Sequence, residues 1–215
     1  VDDTFAVVEV VKKFQYLGAW MTITWCAAVE VQHRLALATG VCSRLHLRLW
    51  RSHVLPLALK LQLYDTLVIT VLTYGLSARI LTAAQERSLE VFHVRQLRRI
   101  LKCPVFMDRR THGEILRTHS ISTIRSRLLR ARLVALRPIL VEPDLLGVRA
   151  ALWSPMPWEP TTGGARTPRF TAILNDLREL LLSNNQSTSG GDDAVFCRGV
   201  QYLRAAKRKQ LDAVL

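Results

Sequence analysis

Arg95, Arg98, Arg99, Lys102, Arg109, Arg110, Arg117, Arg125, Arg127, Arg130, Arg132 and Arg137 fall in one stretch that holds only two acids, Asp108 and Glu114. That stretch therefore carries a local excess of ten out of a net charge of +13. A guanidinium presents a planar fork of donors that matches paired phosphate oxygens, which the point charge of lysine does not. A second group, Arg44, Arg48 and Arg51, recurs at helical spacing and would form one stripe. Chemistry of this kind recognises polyanions and makes no bonds. With a pI near 10.5, the partners it allows are nucleic acid or an acidic membrane surface. The plainer alternative is a solvated helix face.

Residues able to make or break bonds are sparse. Asp2 and Asp3 are adjacent carboxylates, the type that holds paired metal ions, but at a chain end such a pair reads as solvated. Cys26, Cys42, Cys103 and Cys197 include no Cys-x-x-Cys pair, so they read as small apolar residues in a reducing compartment. His33, His46, His53, His93, His112 and His119 form no His-Glu-x-x-His or mixed Cys/His array. Neither a metal site nor a cofactor is expected.

The elements that would position the arginines are mainly helical. Valine-rich 5–11 and aromatic 14–24 suit two short strands and a turn, with Gly18 free to adopt a left-handed conformation. Over 27–50, Val31, Leu35, Ala38, Val41, Cys42, Leu45 and Leu49 recur every three or four residues, the period of an amphipathic helix. A second helix is predicted over 56–81. It opens with Pro56 and is apolar around most of its circumference, so it should be buried, with Gly75 as a close helix contact or a kink. A third, over 83–102, buries Leu89, Phe92, Leu97, Ile100 and Leu101 and projects Arg95, Arg98, Arg99 and Lys102. Cys103-Pro104 ends it.

Thr111-x-x-Glu114 has the form of a capping box opening a short helix to 118. Ser120 or Ser122 then caps a longer helix over 123–141, in which Arg125 and Arg132 share the face of Leu128, Leu129, Leu133, Leu136 and Leu140. Arginines on an apolar stripe must snorkel or meet an acidic or phosphate partner. Docking on RNA or on a neighbouring domain is the expectation. Prolines and glycines over 155–168 and the polar run 184–191 mark linkers, with helices over 169–182 and 193–214. Lys207-Arg208-Lys209 could be a nuclear address, a phosphate contact or helix C-terminal charge. The most apolar run, 66–78, is too short to span a bilayer, and the acidic N-terminus lacks a secretory signal's basic flank.

Three segments give these elements a family likeness: Phe-Gln-Tyr-Leu-Gly at 14–18, Leu-Thr-Tyr-Gly at 72–75 and Leu-Arg-Arg-Ile-Leu at 97–101. Their order and spacing resemble the part of a non-LTR (LINE-type) retrotransposon reverse transcriptase that follows the polymerase active site. The likeness runs over 7–153, roughly two thirds of the chain. It implies a primer-grip-like β-hairpin over 1–25, with Tyr16, Leu17 and Gly18 beside the primer end. It also implies a three-helix thumb over 26–103, a basic connector over 104–153, a linker over 154–168 and a C-terminal helical extension over 169–215.

The nucleic-acid-binding residues so implied are Arg44, Arg48, Arg51, Arg95, Arg98, Arg99, Lys102, Arg109, Arg110, Arg125 and Arg132. Their partner would be an RNA/DNA template-primer duplex or RNA, in a nuclear or cytoplasmic ribonucleoprotein. The family's aromatic-x-Asp-Asp turn lies several tens of residues before its Tyr-Leu-Gly, whereas Asp2 and Asp3 lie barely a dozen before it. Catalytic residues are therefore expected to be none, and magnesium belongs to the full-length enzyme only. Palm and fingers or other protein subunits are further partners. The competing expectation is a retroelement-derived helical assembly subunit that binds protein.

Overall fold

The computed structural model describes residues 11–22, 27–104, 109–141 and 169–206. It is mainly helical behind one antiparallel hairpin, as the periodicity predicts. Strands β1 (Lys13–Tyr16) and β2 (Ala19–Thr22) pair in the register Lys13↔Thr22 to Tyr16↔Ala19. The strands flank the turn expected around Gly18, and 5–10 lie outside the described residues. Leu17 and Gly18 have φ of 47° and 77°, the paired left-handed conformation of a two-residue hairpin loop whose twist matches its strands.

A two-stranded hairpin is marginal alone in water, so its attachments matter. Helix α1 (Ala28–Leu45) buries Glu30, Val31, Arg34, Ala38 and Cys42 along one stripe. Glu30 accepts from the Trp20 N–H at 2.6 Å and pairs with Arg34, whose guanidinium donates to the Gly18 carbonyl. The Tyr74 hydroxyl donates to the Leu17 carbonyl at 2.8 Å, and its ring lies 4.6 Å beneath the Arg34 guanidinium. Arg79 donates to the Trp20 carbonyl. Four backbone groups of the hairpin are therefore held by side chains of the bundle.

Beyond α1 the chain forms a wider π-helical turn, His46–Trp50, with the Arg51 N–H donating to the His46 carbonyl at 3.0 Å. Helix α2 (Leu57–Tyr64) passes through a second π-helical turn, Asp65–Ile69, into the short α3 (Thr70–Thr73). Thr66, Thr70 and Thr73 donate back to the carbonyls of Gln62, Thr66 and Ile69, a pattern that loosens and bends helices. The helix expected to run to 81 ends early because Gly75 takes φ +71°. An added Cβ there would meet only Ala19 Cβ at 3.7 Å, so conformation and not crowding fixes the glycine.

Helix α4 (Ala83–Leu101) begins with a reciprocal Thr82/Gln85 capping box and stops at Lys102, which is left-handed at φ 55°. Helix α5 (His112–Thr118) carries the expected Thr111/Glu114 box, whose hydrogen bonds from Thr111 hold the Glu114 carboxyl below its usual range. Helix α6 (Ile124–Val141) is not capped by Ser120 or Ser122. Its first turn donates instead to Glu90 from α4, at 2.8 Å from Ile124 N, and to the Thr123 hydroxyl from Ser126 N.

Helix α6 joins two apolar cores. Leu128 packs with Tyr64, Leu72, Leu89 and Leu97 in the first. Leu129, Leu133 and Leu140 pack in the second with Ile173, Leu177 and Leu180 of α7 (Arg169–Ser183) and Leu203 of α8 (Asp192–Ala205). The polar run before α8 is a structured link, in which the Tyr202 hydroxyl donates to Asn184 Oδ1 at 2.6 Å. Lys207-Arg208-Lys209 and the 154–168 linker lie outside the described residues. Cys42 and Cys103 are buried as expected, Cys197 is exposed, and Cys26 is not described. Burial pushes the Cys42 thiol up to about 11, leaving it protonated and inert.

His93 is fully buried in the first core, its ring stacked on Tyr64 at 5.7 Å with Nδ1 3.0 Å from the tyrosine hydroxyl. Burial, aided by the charge of Arg127, lowers its pKa from the usual 6.5 to about 4. Between those values the unfolded chain takes up a proton that the folded one refuses. This contribution is therefore intact above pH 6.5 and is lost as pH falls toward 4, by about 3 kcal/mol. Urea unfolding followed over that range should show this loss, and His93→Gln should remove most of it.

A second prediction concerns the hairpin anchor. Glu30→Ala leaves a buried guanidinium without its carboxylate and should cost about 3–5 kcal/mol, whereas Glu30→Met combined with Arg34→Leu should lose much less. Denaturant midpoints of the two variants distinguish these outcomes.

Candidate nucleic-acid interface

On α4, Arg95, Arg99 and Lys102 follow one another at i, i+4 and i+7 and are all exposed. They border a groove of about 510 Å³ whose floor is Val91, Val94 and Pro104. His46, at the far end of α1, and His112, at the start of α5, complete its rim. Among the described residues, no acidic side chain lines it.

Arg98 plays a different part from the one expected of it. Only 8% exposed, it donates to the Cys103 carbonyl at 3.2 Å and to the Arg110 carbonyl. As a wall of the groove it ties the end of α4 to the Arg110 backbone, and its guanidinium is committed within the protein. The same bond brings the Arg110 carbonyl to Arg98, and Arg109 and Arg110 are both exposed. Arg99 donates to Gln96 Oε1 at 3.3 Å, and its charge reaches Cys42 on α1.

Arg44, Arg48 and Arg51 are exposed but do not continue one straight stripe. The π-helical turn closes over five residues, so Arg51 sits one widened turn above His46 instead of in line with Arg44 and Arg48. Arg125 and Arg132, expected to dock on RNA or an absent domain, have acidic partners among the described residues. Arg132 binds both oxygens of Asp176, at 2.9 and 2.7 Å, and donates to the Ser77 and Arg79 carbonyls. Arg125 pairs with Glu179 and Glu86. The acidic partner an arginine on an apolar stripe requires is supplied by α7 and α4.

Tyr16 and Leu17 are exposed at the hairpin tip, 62% and 75%, while the Leu17 and Gly18 carbonyls are held by Tyr74 and Arg34. The hairpin is anchored at the first turns of α1 and the groove opens at its last. At 1.5 Å per residue, the dozen or more residues between put them on the order of 20 Å apart. The hairpin turn and the cationic groove are two places, not one.

His46, His112, Val91 and Val94 were not among the residues that sequence pattern singled out. His112 follows the capping threonine of α5, a position where its placement could have been noticed. His46 depends on a turn that no sequence signal announces.

The contrast between the neighbours on α4 is testable. Arg98→Ala removes the donor to two carbonyls and should cost about 1–3 kcal/mol. Arg95→Ala should stay within about 0.5 kcal/mol. Equal urea midpoints for both variants would contradict the division between wall and rim.

No protein-family model matches the chain, and no curated protein or solved structure does so either.

Proposed function

We propose that this chain is the thumb and connector portion of a LINE-type reverse transcriptase and holds a template-primer duplex, or RNA, by electrostatic clamping. The observation that carries this reading is a groove lined by cations with no acid among the described residues. The acids whose side chains are described are engaged elsewhere: Glu30 with Arg34, Asp65 with Arg127, Glu86 and Glu179 with Arg125, Asp176 with Arg132, and Asp192 with Arg178. Glu90 and Glu114 serve helix starts. Arg95, Arg99, Lys102 and Arg109 are left facing solvent with no carboxylate to neutralise them among the described residues.

Phosphate contacts from such a rim fix the position of a duplex without reading its sequence. Arg44, Arg48 and Arg51 extend the cationic surface from the end of α1. A separation of about 20 Å between groove and hairpin corresponds to about six base steps of 3.4 Å. A duplex at least that long is needed to touch both, with Tyr16 to Gly18 toward the primer end. The described residues include no group of carboxylates, histidines or cysteines arranged for a metal ion, and Asp2 and Asp3 lie outside them. This reading assigns the chain a holding role and no bond-making step.

The competing reading, a helical assembly subunit, rests on exposed Phe14, Tyr16 and Leu17, which would suit a protein surface. A partner retained at high salt after nuclease treatment favours it.

Clamping makes a quantitative demand. If six or more phosphates are neutralised, affinity for an RNA/DNA hybrid should fall by about three orders of magnitude between about 50 and 200 mM salt. Replacing Arg95, Arg99 and Lys102 together by glutamate should weaken binding and lower the slope of log affinity against log salt by about three. Affinity that ignores salt, or a triple variant that binds like the parent, would contradict the proposal.

A further inference from the structure

The groove is more apolar than phosphate contacts require. A backbone phosphate can be held on a convex helix face, by side chains that reach out from it. Here the cations stand around a hollow of about 510 Å³, inside the range of small-molecule sites. Its floor is Val94, fully buried, with Val91 and Pro104 beside it. One wall is Arg98, more than nine-tenths buried and fixed by two carbonyl oxygens, so its charge is positioned before any ligand arrives. His46 and His112 add two imidazole rings to its lining.

We infer that this groove takes one unstacked nucleotide, its phosphate on Arg95, Arg99 and Lys102 and its base on the apolar floor. The inference rests on the nucleic-acid reading above and adds to it a preference for single-stranded ends. Phosphate suits an arginine-rich rim better than a single carboxylate does, because it offers several oxygens to the planar fork. A base suits the floor because its faces are apolar, and imidazole or guanidinium planes stack on it irrespective of its identity. An acidic peptide would satisfy the rim and leave the floor unused. The nucleotide could be free or belong to a strand. The chemistry is the same in both cases.

The full chain is titrated with hybrid duplexes that are blunt, that carry a short single-stranded overhang, or that carry an abasic overhang of equal length. The abasic strand keeps every phosphate and lacks only the bases. The base-bearing overhang should bind about tenfold tighter than the abasic one. AMP should displace it at lower concentration than inorganic phosphate does. Saturation by AMP alone identifies a free-nucleotide site, and a base-dependent overhang preference without it identifies a strand-end site; both support the inference. Val91→Trp fills the floor and should bring the ratio of base-bearing to abasic affinity close to one. Because AMP against phosphate is read on the unaltered protein, the test does not depend on that variant folding.

Equal affinity for the two overhangs, with AMP no better than phosphate, overturns the inference while blunt-duplex binding stands. So does a poly-glutamate peptide that competes as well as AMP. Loss of all hybrid binding at low salt overturns the underlying nucleic-acid reading instead, so the two failures are distinguishable.

Discussion

Carboxylates are scarce in this chain, 17 acidic residues against 30 lysines and arginines, and where they go decides the character of the surface. Apart from Glu114, which caps its own helix, the described carboxylates join elements that would otherwise part. Glu30 fixes the hairpin to α1, Glu90 opens α6, and Asp65 pairs with Arg127 across the first core. Glu86, Glu179 and Asp176 tie α4, α6 and α7 through Arg125 and Arg132. Burying arginines is costly without such partners. Meeting that cost inside leaves none of the described acids for the groove, and excess charge emerges there.

These pairs hold positions more than they supply stability. Burial pushes the Asp176 carboxyl up even though Arg132 pulls it down, so desolvation outweighs the attraction. What Arg132 gains from the arrangement is orientation, since it also reaches the Ser77 and Arg79 carbonyls. Through that one side chain the end of the hairpin-bearing bundle is fixed to the helix shared by both cores. Arg79 in turn donates to Trp20. The placement of the hairpin and the placement of α6 are thus coupled through neighbouring residues of one turn.

Much of this organisation is legible in the sequence. Helical periodicity gives α1, α4, α6 and α7 close to their observed spans, and the Thr111/Glu114 box appears where the pattern places it. The clustering of Arg95, Arg99 and Lys102 on one exposed face also follows from spacing alone. Other features depend on contacts distant in the chain. Arg98 differs from Arg99 by one position, yet it turns inward because the carbonyls of Cys103 and Arg110 come round to meet it. Arg132 looked like a residue in want of phosphate because Asp176 is 44 positions away in sequence. The π-helical turn at 46–50 shifts Arg51 out of its expected row, and local spacing does not reveal such an insertion. The hairpin turn falls at Leu17-Gly18, beside the glycine that marks it in the sequence, while the left-handed conformation of Leu17 is one that a leucine seldom favours and that spacing does not announce.

The division between committed and available arginines can be observed residue by residue with an arginine-selective dicarbonyl reagent and mass spectrometry, in the presence and absence of an RNA/DNA hybrid. Arg95, Arg99 and Arg109 should react freely in the protein alone and be protected by the hybrid. Arg34, Arg98 and Arg132 should resist in both conditions. Protection spread evenly over all exposed arginines, or a freely reactive Arg98 or Arg132, would contradict the account.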